Sequence, residues 1–203
     1  MSFFDNPKNF GIAAIVLGAV SLISGIVAII NGALADPMAT GSVVVAVGTL
    51  IFGILILGVG IPVYKGEETN RLSILGLFVR VIGLATIATY LFNGIGQIID
   101  ESIAYGAAMI VIGIILGLIL IWAAEKIVDG SVDTMDTIIW IILLVVFAIL
   151  TIVSLVGIFT PFLSDGEILN QVLTAVLSLF TFILYAFLLV TVLSDDVKKA
   201  MGV

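Results

Sequence analysis

Six long runs of apolar residues, separated by short polar links, account for most of this chain of 203 residues. Each run reaches the roughly 20 residues that a helix needs to cross the hydrocarbon core of a bilayer. The charged residues fall almost entirely in the links, at the N-terminus or at the C-terminus. The pattern predicts an all-α polytopic membrane protein, a single domain over residues 1–203 with six transmembrane helices.

The links group the helices in consecutive pairs. Asn6 and Pro7 read as the N-cap and first-turn proline of helix 1. The expected helices end near residues 32 and 64, then cover 72–99, 103–128, 137–162 and 168–193, which gives three hairpins at 8–64, 72–128 and 137–193. The acids Asp36, Asp100 and Asp165 recur at intervals of 64 and 65 residues. Either three duplicated hairpins surround a pseudo-threefold axis, or six evenly spaced spans produce this period by themselves.

The cations indicate an orientation. Apart from Arg80, every Lys and Arg lies near a terminus or beside the second or fourth link: Lys8, Lys65, Arg71, Lys126, Lys198 and Lys199. Because cytoplasmic loops carry the excess of Lys and Arg, both termini are expected in the cytoplasm of a prokaryotic cell.

Glycine marks the expected helix contacts. Helix 1 carries Gly11, Gly18, Gly25 and Gly32 at a period of seven, with Ala14, Ser21 and Ala28 between them. Small residues let helix backbones approach closely in lipid. Gly113 and Gly117 form a GxxxG pair in helix 4, whereas helices 5 and 6 are bulky. We therefore expect helices 1–4 at the centre and helices 5 and 6 at the periphery. The glycine spacing of helices 1–4 is similar to that of HdeD-type six-span membrane proteins, a resemblance that implies no site residue.

Composition narrows the function. The chain is 62% hydrophobic and 10% charged, with net charge −7 and neither Cys nor His. These absences remove disulfides, thiolate nucleophiles, the usual zinc ligands and the commonest general base. No Walker loop, HExxH or nucleophile elbow occurs. We expect no catalytic residue, cofactor or metal, and no nucleic-acid partner.

Polar residues within the spans are the candidate functional groups. Arg80 lies roughly 12 Å inside the inner boundary by helical rise, and Glu125 of helix 4 is its expected buried partner. Alternatively Arg80 serves an anion site or a gate, or its side chain snorkels to the interface. A polar stripe on helix 3 either lines a narrow passage or makes interhelical hydrogen bonds. The stripe comprises Thr86, Thr89, Tyr90, Asn93 and Gln97.

The acids at the helix starts have two readings. Asp36, Asp100 and Asp165 each precede a helix, and with Glu101 and Glu167 they could form a cation-attracting vestibule. Capping of free N–H groups is the favoured reading, and Asp133 with Asp136 is expected to open helix 5 in the same way.

These features favour a structural or accessory subunit, or a self-associating scaffold, in contact with membrane lipid and with copies of itself or a larger complex. The alternative is a small-solute channel or transporter that uses the polar stripe. An intramembrane enzyme is the least favoured class.

Overall fold

The structure, a computed structural model, describes residues 3–35, 38–163 and 168–203. Within these ranges the chain is helical and contains no β-strand, and six helices are long and apolar enough to cross a membrane. This confirms the predicted all-α, six-span class. The helices are α1 (Pro7–Leu34), α2 (Thr40–Lys65), α3 (Arg71–Ile99), α4 (Ile103–Val128), α5 (Thr134–Gly157), α6 (Ile168–Val192) and the short α7 (Asp195–Ala200).

Local chemistry explains where several helices begin. The Asn6 side chain accepts a hydrogen bond from the Lys8 N–H, and Pro7 occupies the first turn of α1, as predicted. Asp133 and Asp136 form a capping box: Asp133 accepts from the Met135 and Asp136 N–H groups, while Asp136 accepts from the Asp133 N–H. The capping prediction for helix 5 is therefore confirmed. The box also starts α5 at Thr134, before the predicted residue 137.

The structure differs from the prediction at the end of α5 and after α6. α5 ends at Gly157, short of the predicted residue 162, and a 3₁₀ turn follows at Thr160–Leu163. Pro161 lacks the N–H that a continuing helix requires. The residues after the sixth span form the additional helix α7, whose acids Asp195 and Asp196 lie in the first turn and whose lysines lie in the last. That charge distribution complements the helix dipole and was a usable signal.

Consecutive helices pack in antiparallel pairs, but the pairs do not meet one another equally. α1 packs extensively on α2, α3 on α4, and α5 on α6. α2 also packs closely on α3, and α6 on α1, whereas α4 and α5 make few contacts. A threefold arrangement of hairpins requires equivalent contacts between successive hairpins, and the described residues do not provide them.

The expectation that helices 1–4 form the centre is wrong for α4, and the expectation that helix 6 is peripheral is also wrong. In its most apolar window, 17% of α4 is buried, against 33% of the α6 window. α6 lies against α1 and α5 and reaches α3. α4 is buried mainly at Gly106, Gly113, Gly117 and its last turns, so most of its length faces outward.

The hydrophobic core occupies one end of the bundle, which we call the α7 end; the opposite end is the distal end. All six long helices and α7 contribute to this core. Phe10 of α1 packs on Phe78 of α3 and on Phe187 of α6, with ring centroids 5.7 and 4.9 Å apart. Beyond Leu17, Val79 and Phe147, the described residues of α1, α3 and α5 contribute no further fully buried side chain to this core. Toward the distal end, α1 contacts α2 and α3 contacts α4 at glycine residues.

Candidate functional site

The four heptad glycines of α1 face α2 along their whole length. A Cβ built on Gly11 would lie 2.6 Å from the Tyr64 backbone N, and one on Gly18 would lie 2.8 Å from the Gly53 O. Gly25 meets Leu50, and Gly32 meets Val43. Real Cβ atoms do not approach so closely, so a Cβ at Gly11 or Gly18 would have to displace backbone atoms of α2, whereas one at Gly25 or Gly32 would first displace a side chain. Ser21 is buried with these glycines, but Ala28 is exposed and lies outside the contact.

The α3–α4 pair uses glycine from both helices. A Cβ on Gly83 would lie 2.8 Å from the Gly117 O, and Gly117 in turn is covered by Ile87 and the Gly83 O. Gly113 lies under the Tyr90 side chain. Thus Gly113 and Gly117 both face α3, Gly113 against a side chain and Gly117 against a side chain and a backbone carbonyl.

Arg80 and Glu125 line one groove between α3 and α4, with a volume of about 280 Å³. Both side chains are exposed. No ion pair joins them in the part of the chain that the structure describes. The expected buried pair is therefore wrong: both residues lie on the outward surfaces of their helices, and α4 is too peripheral to cover them.

The polar stripe divides between two environments. Thr86, Thr89 and Tyr90 line a cavity of about 180 Å³ between α2, α3 and α6, closed partly by Phe52 and Tyr185. Asn93 donates instead to the Thr89 carbonyl O of its own helix, at 2.8 Å. Of the cavities that described residues line, the one at Thr86 and the groove at Arg80 have no lining residue in common. The cavity at Thr86 and the groove at Arg80 are therefore separate.

The capping prediction for Asp100 is wrong. Asp100 is the C-terminal cap residue of α3, and α4 starts after Ser102, whose side chain makes no cap hydrogen bond. The Asp100 carboxylate lies against Gly41 in the first turn of α2, where a Cβ would meet both of its oxygens at 2.5 Å. Its negative charge thus faces the positive end of the α2 dipole. Asp36, Asp165 and Glu167 lie outside the described residues.

An ion cluster that sequence reasoning missed joins α4 to α5. Lys126 Nζ lies 3.1 Å from Asp129 and 3.5 Å from Asp133. Hydrogen bonds from the Ser131 hydroxyl and N–H, together with Lys126, lower the pKa of Asp129 to about 2. Backbone N–H donors of Asp136 and Met135 lower the pKa of Asp133. Because the pKa values of Asp129 and Asp133 are depressed, their ionised carboxylates stabilise the fold fully above the ordinary pKa of an aspartate. That stabilisation is lost as the pH falls from the ordinary pKa through the depressed ones.

The start of α5 is also tied to the C-terminus, a contact that the sequence did not indicate. Thr137 Oγ1 donates to the Met201 O at 3.2 Å, and Trp140 Nε1 donates to the Val192 O at 2.8 Å. Val197 and Met201 of the α7 segment are fully buried. Asp136, in the first turn of α5, is 1% exposed, and its Oδ1 has no hydrogen-bond partner among the described residues.

Among the described residues no group of acids is arranged to hold a metal ion. Comparison with models of known protein families, with curated proteins and with solved structures gave no match. The glycine spacing of α1–α4 therefore assigns no family. The six long apolar helices identify the chain as a multi-pass integral membrane protein.

Proposed function

We propose that this chain is a non-enzymatic protein of a prokaryotic cytoplasmic membrane that acts through helix packing, as a structural or accessory subunit or a self-associating scaffold. The observation that carries the proposal is the hydrophobic core at the α7 end. Every long helix contributes apolar side chains to it, and Phe10, Phe78 and Phe187 fill its middle. A conducting path needs polar groups or water along its length, and this filled core favours a packing role.

A second observation supports the proposal. α5 presents a continuous aliphatic face to the outside, with side chains between 40% and 63% exposed. Such a face suits lipid or the helix of a partner subunit. Its members are Ile138, Ile141, Ile142, Val145, Val146, Ile149, Ile152, Val153, Leu155 and Val156.

The particle mass in a native membrane extract tests this function. We expect the protein, extracted with its surrounding lipid by a polymer that does not strip subunits, to run as a particle larger than one chain of 21.3 kDa plus lipid. Ile149→Trp on the α5 face should reduce the larger particle. The matched control Ile115→Trp alters an equally exposed residue of α4 and should reduce it less. A single-chain particle from native membrane would contradict the proposal.

The alternative function, a small-solute channel or transporter, rests on the cavity at Thr86, Thr89 and Tyr90. Purified protein in sealed vesicles would then speed swelling in gradients of small neutral solutes, and Thr89→Val would slow it. Swelling that depends on Thr89 would favour this function over the packing role. Swelling equal to that of empty vesicles would exclude it for the solutes used.

A further inference from the structure

The groove between α3 and α4 combines one cation and one anion on a surface that faces lipid. Arg80 and Glu125 are both exposed there, and no ion pair joins them within the described part of the chain. An exposed guanidinium at membrane depth is costly unless its side chain finds a charged or polar partner at the interface. We propose that this groove binds a phospholipid whose headgroup carries both a phosphate and a primary ammonium, of the phosphatidylethanolamine type.

The register of the two helices sets the relative level of the Arg80 and Glu125 backbones. Gly76 packs on Ala124 and Val128, and Gly83 packs on Gly117 and Ile121. Arg80 therefore lies level with the residues near 122, about one helical turn, or about 5 Å, farther from the α7 end than Glu125. The Arg80 Cα lies deeper in the membrane and the Glu125 Cα lies nearer the aqueous surface, and because helical side chains lean toward the N-terminus of their own helix, the guanidinium and the carboxylate lean toward each other along the groove.

A cation and an acid that lean toward each other in one groove match a headgroup that carries both charges. In such a lipid the phosphate is attached to the glycerol, and the ammonium follows on a short linker farther from the acyl chains. A lipid of the leaflet at the α7 end would thus bring its phosphate to Arg80 and its ammonium to Glu125. Each contact would be a charge-assisted hydrogen bond, which is stronger than a neutral one.

The remaining walls of the groove suit the same occupant. The floor is low because Gly76 and Ala124 are small, which leaves room for a headgroup, and Leu77 and Val128 complete the walls on the side of the α7 end. Ser73 adds a hydroxyl at the end nearest α7. Phosphatidylglycerol would bring an uncharged glycerol to Glu125 in place of an ammonium, so the acid favours the zwitterionic headgroup.

Native mass spectrometry of the full chain tests this site. The protein in detergent is mixed with equal amounts of phosphatidylethanolamine, phosphatidylglycerol and phosphatidylcholine of identical acyl chains. We expect phosphatidylethanolamine to bind about tenfold tighter than phosphatidylglycerol, the effect of about one charge-assisted hydrogen bond. Phosphatidylcholine should rank between them because its quaternary ammonium has no N–H to donate.

Variants assign the preference to residues. Glu125→Gln should abolish the preference for phosphatidylethanolamine over phosphatidylglycerol, whereas Arg80→Gln should weaken the binding of both. The matched controls Glu67→Gln and Lys65→Gln make the same charge changes in the exposed α2–α3 link and should leave the ranking unchanged.

Three results would overturn the proposal: equal binding of the three lipids by the unaltered protein, a preference that survives Glu125→Gln, or a change of oligomeric state in place of lipid binding. The last result would mean that a second copy of the chain occupies the groove. Should Arg80→Gln fail to fold, the ranking of the three lipids by the unaltered protein and by Glu125→Gln still decides the question.

Discussion

At the scale of single residues, the turn between α3 and α4 contains one residue in an unfavourable backbone conformation. Glu101 has a φ of 66°, in the left-handed region that residues with a Cβ rarely adopt. The turn closes α3 with two hydrogen bonds, from the Ser102 N–H to the Gln97 O and from the Glu101 N–H to the Ile98 O. This is the arrangement in which glycine usually occupies the left-handed position.

Glu101→Gly should therefore stabilise the protein by about 1 kcal/mol, because glycine adopts this conformation without a steric cost. The measurement is the free energy of unfolding during titration of the detergent-solubilised protein with SDS. Gly66→Ala provides the matched control: Gly66 has a φ of 78° and open space around it, so alanine should cost a similar amount through backbone conformation alone. A loss of stability in Glu101→Gly would contradict the assignment.

At the scale of helices, the α1–α2 contact depends on how rigid the atoms opposite each glycine are. Gly18 faces the Gly53 carbonyl O as well as Leu57, whereas Gly25 first meets the end of the Leu50 side chain. A side chain can change its rotamer, but a backbone carbonyl moves only with its helix. Added volume should therefore be tolerated worse at Gly18 than at Gly25.

We expect Gly18→Ala to destabilise the fold by about 1–3 kcal/mol, the usual range for overpacking, and Gly25→Ala to cost less. Gly25→Leu should exceed both, because a full leucine side chain would also press on the Ala46 carbonyl O, which a Cβ at this position already approaches to 3.2 Å. The same SDS titration ranks these variants against Ile26→Leu, a change at an exposed position of α1 that should be nearly neutral. Equal stability of Gly18→Ala and Ile26→Leu would show that the contact is looser than described.

At the scale of the whole molecule, the sign of the charges predicts how the bundle crosses the membrane. The cations Lys65, Arg71 and Lys126 lie at the α7 end, whereas the acids Asp100 and Glu101 lie at the distal end. By the positive-inside tendency we expect the α7 end to face the cytoplasm. The lipid site proposed at Arg80 would then contact the cytoplasmic leaflet.

Cysteine labelling in intact cells checks this orientation, and the absence of native cysteine makes the experiment direct. Ser102→Cys at the distal end should react with a membrane-impermeant maleimide, and Glu67→Cys should react only after the cells are opened. Both positions are exposed, so access to the thiol differs only through the membrane. The reverse labelling pattern would overturn the orientation.

The sequence by itself determined the six-span helical class and several helix starts. Length and apolar content suffice for a span because the bilayer fixes the length that a helix must cover. The caps at Asn6 and Asp133 were predictable because each depends on hydrogen bonds to N–H groups within three residues. These features are local, and no packing partner had to be known.

Tertiary structure alone decided which side chains face inward. In lipid, a core-facing leucine and a lipid-facing leucine are equally apolar, so hydropathy does not separate the central α6 from the peripheral α4. The exposure of Arg80 could not be predicted because it depends on which neighbouring helices cover α3 at that level. Asp100 ends α3 and precedes α4 in the sequence, yet its carboxylate contacts Gly41 of α2. Which helix lies opposite a given residue is set by contacts between distant segments, which a one-dimensional pattern does not contain.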